Sequence, residues 1–268
     1  MSRPEGGRSA ADPPSRVALV VASLVLVAVT ADVLVRGPLV RLDHAAATWL
    51  RAHYDIGAAR NHGVHSPQER ALVWLTQLGG PVTVLVLTAP HALFLAVRHR
   101  AVRPLARLAV AGALAIAAVY TAKLTIGRTA PMADVLWTGH GRSYPSGHTV
   151  TALLIWGIVA WLAVDYGSSR PVRALTGVLR WAGPMATAGA MFVLVYHWLT
   201  DLVAGAATGV LLLAALHWLD RVALAHLPGA DRGIARAGDG DRRRLAAARG
   251  ARGGRDRRPV HDPRPADH

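Results

Sequence analysis

Residues 143–150 read Ser143-Tyr144-Pro145-Ser146-Gly147-His148-Thr149-Val150, and residues 151–164 continue as TALLIWGIVAWLAV. The second stretch has the apolarity of a membrane-spanning helix, and the first is where that helix begins. Ser146 suits the N-cap, because its hydroxyl accepts one of the N–H groups that the first turn leaves unpaired. A cap requires neither a glycine nor an imidazole directly behind it. Gly147 and His148 therefore call for a chemical explanation, and the rest of the chain supplies one.

The 268 residues are 52% hydrophobic and carry a formal net charge of +14. So basic a chain suggests nucleic acid when the charge is spread over a folded surface. Here the Lys and Arg residues avoid the apolar runs and gather between them, which is the distribution of a polytopic membrane protein. No nucleic-acid partner is expected. Cysteine is absent, so disulfides and thiolate metal sites are excluded. The Ala/Arg/Gly bias is that of a high-GC bacterial genome.

Six apolar segments are expected to span: 17–35, 72–97, 105–122, 149–164, 179–196 and 199–219. The first is too long, and lacks the small-residue cleavage site, for a removed signal peptide. Between spans, Arg98, Arg100, Arg103 and Arg107 share one connection and Arg170, Arg173 and Arg180 another, while both termini are basic. Six spans place all four segments on one side, which the positive-inside rule makes cytoplasmic. The expected fold is an all-α membrane protein, a six-helix bundle with both termini in the cytoplasm of a bacterial cell membrane. Residues 1–16 form a tail and 17–219 the membrane domain. Residues 220–268 form a basic, disordered tail, either solvated or lying on anionic lipid headgroups. LDHAAATWLRAH, residues 42–53, is read as a short interfacial helix with Asp43 as its cap and Leu42, Ala46, Trp49 and Leu50 on one face.

The two outward junctions hold the polar residues that packing does not explain: Lys123, Arg128, Arg142, Ser146, His148, His197 and Asp201. His197 and Asp201 are four apart and share a helix face. A carboxylate beside an imidazole orients the ring and fixes its tautomer. Alone, HxxxD is most often a satisfied polar pair. Taken with His148 and Lys123 around a glycine-bearing helix start, it becomes an anion site suited to phosphate.

These motifs resemble the type 2 phosphatidic acid phosphatase (PAP2) family of integral membrane lipid phosphatases. That pattern has a Lys followed after six residues by Arg-Pro, then PSGH, then Ser-Arg with HxxxD behind it. Here the three parts are Lys123 with Pro131, Pro145-Ser146-Gly147-His148, and His197-Trp198-Leu199-Thr200-Asp201 continuing into LVAG. Two positions depart from it: Ala130 replaces the first motif's Arg, and Ala190-Met191 stands for Ser-Arg. Arg128, then Arg142, are the candidate substitutes.

The resemblance implies hydrolysis of a lipid phosphate or pyrophosphate at the extracytoplasmic face through a phosphohistidine, with no metal or other cofactor. Polyprenyl pyrophosphate, phosphatidic acid, phosphatidylglycerol phosphate and a related prenyl-linked phosphosugar are the substrate candidates. His197 would be the nucleophile, Asp201 its orienting partner and His148 the general acid and base. Lys123, Arg128, Arg142, Ser146 and Gly147 would hold phosphate. The two missing arginines leave two alternatives: an impaired lipid-binding or transport protein, and a lipid phosphotransferase. Asp134, His53, His62, His65 and His140 are read as loop or interface residues, His91 and Asp32 as packing partners. Oligomeric state has no signature in the sequence.

Overall fold

In the computed structural model, the described residues are 12–54, 66–131, 141–224 and 227. They are helical apart from turns and one isolated bridge, Thr129 to Arg142. His62, His65, Asp134 and His140 lie outside them, as do residues 1–11 and nearly all of the C-terminal tail.

Helix α1, Arg16–Val35, starts on Ser15, whose Oγ accepts the Ala18 N–H at 3.0 Å. Most of its large apolar side chains, Val17, Leu24, Val27 and Leu34 among them, are exposed. In water such a surface would be a liability; against lipid it is the expected outer face. The chain turns at Arg36, which adopts the left-handed conformation, into α2, Pro38–His53. Asp32 holds that corner, its carboxylate accepting the N–H groups of Leu39 (3.2 Å) and Val40 (3.0 Å). It thus acts as a remote N-cap.

The expected second span is broken. Helix α3, Pro67–Thr76, ends in a 3-10 turn at Gln77–Gly79, and Pro81 restarts the chain as α4, Pro81–Thr83. A π-helical turn, Val84–Thr88, leads into α5, Ala89–His99. The span runs over Pro81–His99. Gly79 is needed at the break because a Cβ there would lie 2.2 Å from the His148 carbonyl oxygen.

Helices α6, Arg103–Ile126, α7, Gly147–Asp165, α8, Arg170–Val193, and α9, Leu199–Val222, form the core. α7 is buried on nearly every side, lying against α6, α8 and α9. Among the described residues, five helices are long and apolar enough to cross a membrane: α1, Pro81–His99, α6, α7 and α9. α8 falls outside that set, since its first half carries Arg170, Arg173 and Arg180.

The end of the bundle opposite the start of α7 is held by buried charge. Arg103 forms a fork on Asp220 (2.8 and 2.6 Å), and Arg107 does the same at 2.8 and 3.0 Å. A further Arg107 nitrogen reaches Asp165 at 2.8 Å. The Arg107 guanidinium also lies 3.8 Å from the Trp161 ring, which stacks on His217. Two expectations are corrected here. Arg103 and Arg107, read as part of a connection between spans, sit in the first two turns of α6, Arg107 only 1% exposed. Asp220 does not open the tail; α9 continues to Val222, with Asp220 tying it to α6.

Candidate active site

Lys123 lies in the last turn of α6, which stops where Gly127 turns left-handed at φ 65° and returns its N–H to the Lys123 carbonyl. The following loop folds onto the segment leading to α7. Ala130 N–H donates to the Gly141 carbonyl at 2.6 Å, and Ser143 N–H to the Arg128 carbonyl at 2.8 Å. Tyr144 and Pro145 are joined by a cis peptide bond. The Tyr144 hydroxyl pairs with Thr30 of α1 at 2.6 Å. Burial pushes that hydroxyl's pKa above its ordinary value, and the Asp201 charge adds to the rise.

Ser146 caps α7 as expected, its Oγ accepting Thr149 N–H (3.4 Å) and Thr149 Oγ1 (3.1 Å). Its own N–H donates to the Asp201 carbonyl at 3.0 Å. One backbone bond therefore joins the PSGH motif to HWLTD. Gly205 makes the approach possible: a Cβ there would lie 2.8 Å from the Ser146 carbonyl oxygen. Ser146 is fully buried and so committed to this junction. The next two amides, Gly147 and His148, have no acceptor among the described residues, as befits the first turn of a helix. A Cβ on Gly147 would meet only Val119, at 3.5 Å, so protein packing alone does not require glycine there.

His197 sits in the short turn between α8 and α9. That turn contains Val195 at φ 53°, an uncommon conformation for a β-branched residue. Val195 is tolerated because its side chain packs with Ala47, Leu50 and Trp198, and because Val195 and Tyr196 N–H groups close the end of α8. Asp201 is 0% exposed. Its Oδ2 accepts Trp198 N–H at 3.2 Å and faces His197 Nδ1 at 3.3 Å. That contact puts the proton on Nδ1 and leaves Nε2 as the lone-pair nitrogen. His148 experiences the charges of His197 and Lys123, and Lys123 that of Asp201, so residues from three helix ends share one neighbourhood. Neither Lys123 Nζ nor the His148 ring has a hydrogen-bond partner among the described residues.

Arg128 is placed differently from expectation. Its Nη1 donates to Asp201 Oδ1 (2.9 Å) and to Thr200 Oγ1, and its Nη2 to Asp43 Oδ2 (2.7 Å). With its charge paired to two carboxylates, it is not a free phosphate ligand. Arg142 is half-buried and its guanidinium has no partner among the described residues. Ala130 and Met191 are both buried.

Asp43 is the residue the sequence reading misplaced. It is not the cap of its helix but lies inside α2, 2% exposed, on a face shared with Ala47 and Leu50. Of the residues grouped on one face of this helix, Leu50 is buried while Leu42 and Trp49 are exposed. The signal was present: Asp43, Ala47 and Leu50 follow the i, i+4, i+7 spacing of one helix stripe.

Residues 104–223 match the PAP2 superfamily. That segment, from the start of α6 to the end of α9, carries the PAP2 superfamily pattern. A solved transmembrane PAP2-type phosphatidylglycerolphosphate phosphatase from Bacillus subtilis superimposes with a TM-score of 0.59 at 20% identity, covering 76% of this chain and 96% of that one. At that identity the likeness establishes the fold. No curated protein matches the sequence significantly. The PAP2 match begins at Pro104 and includes Lys123, PSGH and HWLTD, but not α2 with Asp43.

Proposed function

We propose that this protein is a membrane lipid phosphatase that works through a phosphohistidine on His197. The observation that carries the reading is the continuity of the polar site with an apolar cleft. Gly147 and His148 line the head of a cleft of about 440 Å³, which continues past Ala111, Gly112, Ala115, Leu154 and Ile158. From His148 to Ile158 the α7 wall rises about 15 Å. A phosphate at the histidines and a hydrocarbon chain in the cleft satisfy both halves of this surface.

In the first step His197 Nε2 attacks phosphorus and the phosphorus–oxygen bond to the leaving group breaks. His148 gives its proton to the departing oxygen. Asp201 accepts the Nδ1 hydrogen bond and stabilises the ring as it gains positive character. Water then attacks the phosphohistidine, His148 takes its proton, and phosphate leaves with His197 restored. Lys123, the Gly147 and His148 amides at the positive end of α7, and Arg142 hold the equatorial oxygens. The phosphate cradle thus shifts from Ser146 and Arg128, both already paired, to these groups.

We also propose six spans, the sixth being α8. Its 24 residues extend about 36 Å, and Arg170 and Arg173 in its first turn can snorkel to headgroups. With the basic connections cytoplasmic, the starts of α7 and α9 face outward.

The test is phosphate release by the detergent-solubilised protein from phosphatidic acid, phosphatidylglycerophosphate and a polyprenyl pyrophosphate, with EDTA present. Release is expected from at least one, and undiminished turnover by His197→Ala would sink the mechanism. Buried Ala130 and Met191 favour a second reading, a lipid-binding protein without turnover. Tight binding of these lipids with no release would decide for it.

A further inference from the structure

We propose that Asp43 is a positioning residue for the Asp201–His197 pair, acting through Arg128. The inference rests on the phosphatase reading above and adds to the site a helix that the PAP2 match does not include.

A carboxylate buried on the apolar stripe of a helix is costly unless charge and hydrogen bonds compensate it. Asp43 is compensated entirely by the active-site end of the bundle. Its Oδ1 accepts Thr200 N–H at 3.1 Å, capping the first turn of α9 from a different helix. Its Oδ2 accepts the Thr200 hydroxyl and Arg128 Nη2. Arg128 Nη1 then holds Asp201 Oδ1, which leaves Asp201 Oδ2 for Trp198 N–H and His197 Nδ1. Asp43, Arg128, Asp201 and His197 form an unbroken chain across three segments separated in sequence. The Arg128 guanidinium lies 5.2 Å from the Trp198 ring, which further restricts it.

Two effects follow. The planar guanidinium fork spans both carboxylates and fixes the Asp201 rotamer, which a single point charge does not do. Charge is the second effect. Arg128 alone would cancel Asp201 and weaken its hold on the imidazole as His197 takes up phosphorus. Asp43 returns the group of three to one net negative charge, so His197 still faces an anion. An arginine placed two residues before the PAP2 position has thus become a bridge between carboxylates, and Asp43 makes that bridge compatible with nucleophilic catalysis.

The experiment compares kcat and KM, per folded molecule, for wild type, Asp43→Asn, Arg128→Gln and the double variant. The full chain is used in detergent, on whichever of the three lipid phosphates above wild type turns over fastest. For Asp43→Asn, kcat should fall about 10- to 100-fold, as for other residues that orient an active group from behind, with KM unchanged. The double variant should regain part of that loss, because it removes the uncompensated guanidinium. An unchanged kcat in Asp43→Asn, or a double variant slower than Asp43→Asn, would overturn the inference. If Asp43→Asn does not yield monodisperse protein, Arg128→Lys replaces it. That variant keeps the charge but not the fork, so kcat should again fall at constant KM, and an unchanged kcat overturns the proposal. Wild type that releases phosphate from none of the three lipids overturns the phosphatase reading itself, a result distinct from any of these.

Discussion

Gly205→Ala adds one methyl group where the two motif-bearing helices touch. The new Cβ would lie 2.8 Å from the Ser146 carbonyl oxygen and 3.1 Å from Thr149 Cβ. Carbon–oxygen contacts between packed backbones normally sit at about 3.3–3.6 Å. The helices must therefore part by about 0.5–0.8 Å, and the obstructing atom is backbone, which has no alternative rotamer. Overpacking of this kind costs about 1–3 kcal/mol, set against a helix-propensity gain for Ala over Gly of about 1 kcal/mol. Activity is the more sensitive readout, because the Ser146 N–H to Asp201 carbonyl bond crosses the same contact. A misplacement of 1 Å can cost about 100-fold in rate, so kcat should fall about 10-fold while the melting temperature drops by only a few degrees. Gly189→Ala is the control: it lies in α8 with nothing within 4 Å of its added Cβ, and should leave kcat unchanged. Equal kcat values for Gly205→Ala and wild type would refute the view that this contact sets the site's geometry.

Gly147→Ala should melt like wild type, since its Cβ meets only Val119 at 3.5 Å, yet lose turnover by blocking the backbone's approach to phosphate. Full activity would show that phosphate does not pass that close. Asp220→Asn should destabilise the protein by about 3–5 kcal/mol, because Arg103 and Arg107 lose the carboxylate they share. Thermal unfolding in detergent measures it. Gly112→Leu adds a side chain to the cleft wall at a position where nothing lies within 4 Å of the new Cβ. It should raise KM for dioleoyl phosphatidic acid and leave the dihexanoyl form unaffected; equal effects on both would argue against a chain in the cleft.

The PSGH and HWLTD motifs were legible because each is a local event: a capped helix start, and an imidazole one turn from a carboxylate. Their meeting was legible too, because span counting puts both at the same end of the bundle. What sequence periodicity does not encode is direction around the helix axis and which remote partner satisfies a charge. Arg128 is five residues from Lys123, but the left-handed turn at Gly127 lies between them, and its guanidinium ends on carboxylates of α2 and α9. Arg107 and Asp220 likewise sit where topology rules expect solvated charge, and are instead paired with each other.

Asp43 shows why such residues are missed and how they are found. Read by type, an Asp near the start of a helix is a cap. Read by position, it shares a stripe with Ala47 and Leu50, and a carboxylate on a buried stripe must have a cation or several donors waiting for it. Arg128, read as a phosphate ligand, was one of the cations in the outward loops with no protein partner assigned to it. Matching a buried acid in one segment to an unexplained base in another would have connected α2 to the site before any coordinates. At residue 128 the arginine pairs with the carboxylates of α2 and α9 together.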